Sequence, residues 1–299
     1  MSQRKADLLL LTVILAWGSS NVWLKIGAEG LAPFNLIALR YTLGFLVTFL
    51  IFFKRCTRPN RKTIKYSVLL GFILFAIGYA LIMALKYAKA SEVSFLASIS
   101  VFFVPIIMAI WRKQRIKREV IIGMFLAVAG LMLLTNVGAG FAVSLGAAFA
   151  LLASVINAFM VITTNYSAHN AEDTVQLGVL ELGFAALFGW IGSFLLETPR
   201  LPATNNEWIS VMMLALVCSA YGMVAQTIGQ KYTTPEHFGF INALEPVFAT
   251  VFAYILLDEV MSVTGYIGSA LIFLSVLVAN GLLVSLKNNR ETGYEKDNQ

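Results

Sequence analysis

Long apolar stretches alternate with short polar connections along the whole chain. A window of about 19 residues finds ten of them, at 8–26, 33–53, 66–85, 93–111, 120–136, 143–166, 174–196, 208–230, 237–257 and 263–285. Each is close to the roughly 20 residues a helix needs to cross a hydrocarbon layer. Runs such as ADLLLLTVILAW and YIGSALIFLSVLVANGLL lack the apolar/polar alternation of membrane-barrel strands. The pattern predicts an all-α membrane protein with ten transmembrane helices. The first stretch follows Arg4 and Lys5 but has no AxA-type cleavage site, so it reads as a retained span, not a signal peptide.

Basic residues give the spans an orientation. With the N-terminus cytoplasmic, 17 of the 22 Lys and Arg fall on the inside, concentrated in 54–65 and 112–118. The outside receives Lys86, Lys89 and Arg200. This bias predicts that both termini are cytoplasmic. The tail 287–299 is polar and is expected to be disordered.

KYAKASEVSFLASISVFFVPIIMAIW and KYTTPEHFGFINALEPVFATVFAYIL superpose at an offset of 145 residues, and the match extends to Asn136 and Gly281. It pairs Lys86 with Lys231, Phe103 with Phe248 and Gly123 with Gly268, eight identities over 51 positions. That period spans five helices, an odd number, so the second half must lie inverted in the membrane. Two inverted five-helix repeats are expected, at 8–137 and 143–286. Inverted repeats are a recurring plan of secondary transporters.

Composition removes several other classes. Charged residues make up 13% of the chain, against about 25% in soluble domains. The net charge of +6 is spread between apolar runs, not clustered as nucleic-acid binding requires. Cys56 and Cys218 are isolated, as are His169 and His237, so no disulfide framework, metal or cofactor is implied. No GxxxxGK[ST] and no HExxH is present, which argues against an ATPase and against intramembrane catalysis.

Charged side chains within the spans are Lys25, Arg40, Glu181 and Glu245. Lys25 lies at a span end and can snorkel to the interface. Arg40 lies about 10 Å into the second span, too deep to escape easily, and Glu181 is similarly placed in the seventh. Glu245 lies about 12 Å into the ninth, followed by Pro246, which cannot donate to the Asn242 carbonyl. A carboxyl and a free carbonyl one turn apart suit an ammonium, a hydroxyl or a coupled proton. A packing kink with a structural glutamate is the other reading. Pro105 is expected to break the fourth span in the same way. In AWGSSNVWLK, Trp17 and Asn21 share a helix face, as a ligand wall or a packing surface. Tyr79, Asn157, Tyr221, Gln226 and Asn242 are further candidates for the lining of a central cavity.

AWGSSNVWLKIG, the Arg40 of ALRYTLG, and NALEPVFATVFAYILLDEVMSVTGYIGSALIFLSV together resemble the EamA family of the drug/metabolite transporter superfamily. The resemblance extends over two consecutive EamA-type units. It implies a ten-helix inverted-repeat bundle with a central cavity, moving amino acids and related small metabolites, often outward. The first unit departs from the pattern: Ser100 and Val101 stand where the Glu-Pro pair is expected, and Lys113 and Gln114 where the acidic end is. The expectation is therefore a multi-pass exporter of small metabolites in the plasma (inner) membrane, in contact with lipid and with no nucleic-acid partner. The alternatives are a non-transporting scaffold or sensor, and a membrane enzyme.

Overall fold

The computed structural model describes residues 2–112, 116, 118–134, 144–170, 173–230, 232, 241–242 and 244–279. The tail 287–299, His237 and the first residues of the ninth span lie outside them. The described residues are mostly helical, with no strand among them. In chain order the helices are α1 (Gln3–Gly30), α2 (Pro33–Ile51), α3 (Phe53–Cys56), α4 (Arg61–Leu85), α5 (Ala90–Ser98), α6 (Ser100–Arg112), α7 (Arg118–Leu134), α8 (Leu145–Asn170) and α9 (Thr174–Leu196). There follow α10 (Asn205–Met212), a π-helical stretch (Met213–Tyr221), α11 (Gly222–Gln230), α12 (Glu245–Leu257) and α13 (Val263–Ala279). Among the described residues six stretches are long and apolar enough to cross a membrane: five are single helices and the sixth joins α5 to α6, while α12 and α13 are shorter apolar helices.

Local chemistry explains where the helices begin. Pro33 opens α2, where its missing N–H leaves no bond unmade. Asn60 caps α4 by accepting from the Thr63 amide at 2.6 Å, and Asp173 caps α9 by accepting from the Val175 amide at 2.9 Å. The eighth apolar stretch was expected to be one regular helix. It instead carries the π-helical turn, whose wider i→i+5 spacing is found frequently at functional sites.

Packing is tightest where small residues let backbones meet, the usual device in a solvent without a hydrophobic drive between helices. α2 lies along α9, α4 along α8 and α9, α1 along α12, and α7 along α13. Leu36, Ile82, Leu96, Leu182, Leu214 and Ile272 are fully buried among them. Outside this core the chain exposes large apolar side chains such as Leu50, Phe125, Leu195 and Val263. Such a coat suits lipid and not water.

The α7–α13 crossing is reciprocal. A Cβ added to Gly123 would fall 2.8 Å from the Ser275 carbonyl oxygen, and one on Gly268 would fall 2.6 Å from that of Gly130. Shifting Gly123 and Ser275 by 145 in opposite directions turns the first contact into the second.

Candidate functional site

Two helix breaks organise the interior. At Ile99 the amide bonds back only three residues, to the Leu96 carbonyl at 3.2 Å, and the Phe102 amide bonds to Ile99 at 2.9 Å. At Leu244 the amide reaches the Ile241 carbonyl at 3.1 Å, and the Val247 amide reaches Leu244 at 3.1 Å. All three residues of the first break match those of the second at an offset of 145. New helices then start at Ser100 and Glu245.

This corrects the expected origin of both breaks. The fourth segment breaks at Ile99, six residues before Pro105, and α6 runs on through that proline. In the ninth, the chain has already left regular helix at Leu244, and Pro246 occupies the first turn of α12. Its missing N–H therefore costs nothing. Glu245 is the first residue of α12, where the positive end of the helix dipole favours an acidic side chain.

Glu245 is half-buried. Its backbone packs on α1: a Cβ on Gly18 would lie 3.2 Å from the Glu245 carbonyl oxygen and 2.6 Å from the Phe248 Cβ. Beside that glycine, Trp17 donates from Nε1 to the Cys218 carbonyl at 2.9 Å. Arg40 donates from Nε to Ser219 Oγ at 2.9 Å, and its guanidinium lies 5.0 Å from the Tyr41 ring centre. Both acceptors belong to the π-helical stretch. Cys218 lies within electrostatic range of Arg40 and Glu245, and Tyr41 within range of Arg40 and Glu181. Trp17 and Arg40 thus converge on the π turn, with Glu245 near its Cys218. Tyr41, Cys218 and Ser219 take part here but were not foreseen, because nothing in their spacing signals a π turn.

The other candidates separate. Asn21 is buried and donates to Ser94 Oγ at 2.6 Å, tying α1 to α5. Asn157 donates to Ser100 Oγ at 3.3 Å, at the start of α6, the place that matches Glu245 in the first half. Tyr79 stacks on Phe34 with ring centres 4.8 Å apart. Tyr221 is exposed and pairs with the Thr12 hydroxyl at 2.6 Å. It lines an apolar cavity of about 420 Å³ with Leu9, Val47, Phe52 and Ile228. Gln226 and Asn242 are half-buried. Glu181 is buried, and its Oε1 has no hydrogen-bond partner.

Polar contacts close the Lys25 end of the bundle. Lys25 was expected to snorkel; its Nζ instead lies 2.6 Å from Glu259 Oε1. The same carboxylate accepts from the Ala90 amide at 3.1 Å and the Ser91 amide at 3.3 Å, capping α5. Glu197 caps α2 through the Phe34 and Asn35 amides at 3.0 and 2.9 Å. Asn35 Nδ2 donates to the Arg200 carbonyl at 2.8 Å. Arg200 grips Glu207 with both terminal nitrogens, at 2.9 and 2.7 Å, and holds its carboxyl down at about 2. At the opposite end, Gln176 Nε2 donates to the Arg55 carbonyl at 2.6 Å.

These features define a multi-pass helical membrane protein with polar side chains and paired helix breaks in its interior. The chain belongs to the EamA-like transporter family, whose model matches residues 4–136 and again 144–281. It is therefore a membrane transporter. It is 26% identical over 282 residues to an uncharacterized transporter of Archaeoglobus fulgidus, covering 92% of this chain and 85% of that protein. It is 24% identical to a probable amino-acid metabolite efflux pump of Escherichia coli, covering 92% and 94% of the two chains. A solved crystal structure shares the fold with a TM-score of 0.68 at 21% identity, covering 95% of this chain and 99% of the other.

Proposed function

We propose that this protein is a secondary exporter of amino acids or closely related metabolites, working by alternating access in the plasma (inner) membrane. Ten transmembrane helices form two inverted repeats, 8–137 and 143–286, with both termini cytoplasmic. The observation that carries this reading is the pair of breaks at Ile99 and Leu244, matched residue for residue at an offset of 145. Discontinuous helices that meet at the repeat interface are how transporters present backbone polar groups and helix N-termini to a substrate. The reciprocal glycine contacts of α7 and α13 support the same two-fold relation. So do two locks at opposite ends: the third residue of α2, Asn35, bonds to the Arg200 carbonyl beyond α9, and the third residue of α9, Gln176, bonds to the Arg55 carbonyl beyond α2. The efflux pumps among the relatives support amino-acid export.

In this reading Glu245 receives the substrate ammonium, Arg40 its anionic group, and Trp17 walls the site. Lys25 and Glu259 come from opposite repeats, so their contact closes the outer end. The test is counterflow of labelled L-amino acids into proteoliposomes of the purified protein. Uptake several-fold above empty vesicles is expected. No counterflow with any of them, alongside turnover of a labelled lipid, would favour the enzyme, and neither activity would favour the scaffold.

A further inference from the structure

Two stretches of the chain repeat a short pattern outside the duplication. ELGFA begins at Glu181 in α9, and EPVFA begins at Glu245 in α12. Each docks on a glycine of a neighbouring helix in the same way. A Cβ on Gly71 of α4 would meet the Glu181 carbonyl oxygen at 2.9 Å, the Phe184 Cβ at 2.6 Å and the Ala185 nitrogen at 2.9 Å. On Gly18 of α1, the corresponding distances to Glu245, Phe248 and Ala249 are 3.2, 2.6 and 3.1 Å. The two glutamates thus sit alike on their helix seams, yet their side chains meet different surroundings. Glu245 is half-buried beside the π turn. Glu181 is 2% exposed, and its Oε1 is sealed from solvent without a hydrogen-bond partner.

Among the described residues no charged neighbour forms an ion pair with Glu181. From α2 come Arg40, whose Nε donates to Ser219, and the Tyr41 phenol. From α4 come Tyr66 and Tyr79, some five and eight residues from Gly71, with Arg61, Lys62 and Lys65 at the far start of the helix. α3 brings Lys54, Arg55 and Cys56 near the start of α9, and α11 brings no titratable group. Among the described residues no cation lies within 4.0 Å of the Glu181 carboxylate. An ionised carboxylate there would be an unpaired buried charge, which folds avoid. A carboxyl with its proton is neutral and still offers an O–H.

We infer that Glu181 is a proton-carrying site distinct from the Glu245 pocket, coupling substrate movement to a proton. This rests on the transport reading. In the conformation described here, Glu181 holds the proton in a dry seam. When the seam between α4 and α9 opens to water, the O–H bond breaks and the proton passes to water, leaving a solvated carboxylate. Reprotonation from the other side restores the sealed state. Two carboxyls in unlike environments take unlike roles.

The test uses purified full-length protein in vesicles loaded with a pH-sensitive dye, with labelled L-amino acids as the probe. The parent protein is expected to show proton movement driven by an amino-acid gradient. Glu181→Gln should keep counterflow within about twofold of the parent while proton movement falls about tenfold or more. Glu181→Asp, which keeps a titrating carboxyl, should retain proton movement with a shifted pH profile, and it serves where Glu181→Gln fails to fold. Counterflow in the parent without any proton movement would overturn the coupling and leave the transport reading standing. Unchanged proton movement in Glu181→Gln, or a pH profile in Glu181→Asp identical to the parent's, would overturn the assignment to Glu181. Absent counterflow in the parent would overturn the transport reading and this inference with it.

Discussion

Lys25 and Glu259 meet at 2.6 Å although 234 residues separate them in sequence. One lies at the end of α1 and the other just past α12, and their contact also holds the first turn of α5 through Glu259. In the proposed topology this is where the two halves close over the outer end of the interior.

Loosening that contact is expected to bias the protein toward an outward-open form. A hydrogen bond to a charged group contributes about 1.5–3 kcal/mol, and Lys25 is partly open to solvent, so about a fivefold shift is expected. Lys25→Ala should raise labelling of a cysteine at Val93, which is fully buried, by an impermeant reagent in a background lacking Cys56 and Cys218. Exchanging the charges, Lys25→Glu with Glu259→Lys, should recover little of the closure, because a lysine at 259 cannot accept from the Ala90 and Ser91 amides. Recovery of parental labelling in the exchanged pair would reduce the contact to simple charge attraction.

Glu245 and Pro246 are expected to behave very differently. Glu245→Gln should fold normally and lose most counterflow, since it removes the charge at the start of α12. Pro246→Ala should leave transport within about twofold, because the proline stands in the first turn, where no intrahelical bond is missing. Parental counterflow in Glu245→Gln would make the glutamate structural.

Arg40 makes its described hydrogen bond through Nε, a donor that lysine lacks. Arg40→Ala is expected to abolish counterflow with insertion intact, and Arg40→Lys to restore it only in part. Ser219→Ala should fall between the parent and Arg40→Lys. Loss of expression in both Arg40 variants would assign the residue to folding.

Glu207 lies before the eighth span and makes stability depend on acid. Its carboxyl is held at about 2, chiefly by the Arg200 guanidinium and then by the Ala203 amide, against roughly 4.3 in an unfolded chain. Its contribution is therefore complete above about 4.3 and is lost as pH falls toward 2. Thermal unfolding in detergent should show Glu207→Gln less stable than the parent at pH 7, with the gap narrowing near pH 2.5. A gap independent of pH would assign the loss to packing.

The apolar pattern alone determined that this chain is a helical membrane protein, because about 20 consecutive apolar residues have few alternatives in water or lipid. The offset of 145 residues that relates the breaks at Ile99 and Leu244 was also legible, since it depends on spacing along one chain. The place of the breaks was not. Prolines were the visible signal, but a proline in the first turn of a helix and one in its interior look alike in sequence, and only the neighbouring hydrogen bonds at Ile99 and Leu244 distinguish them. Nor did spacing reveal that Lys25 binds Glu259, or that two glutamates on like seams differ in exposure. Both depend on which helices become neighbours. Contacts between distant segments are decided by packing of whole faces, which one-dimensional periodicity does not encode.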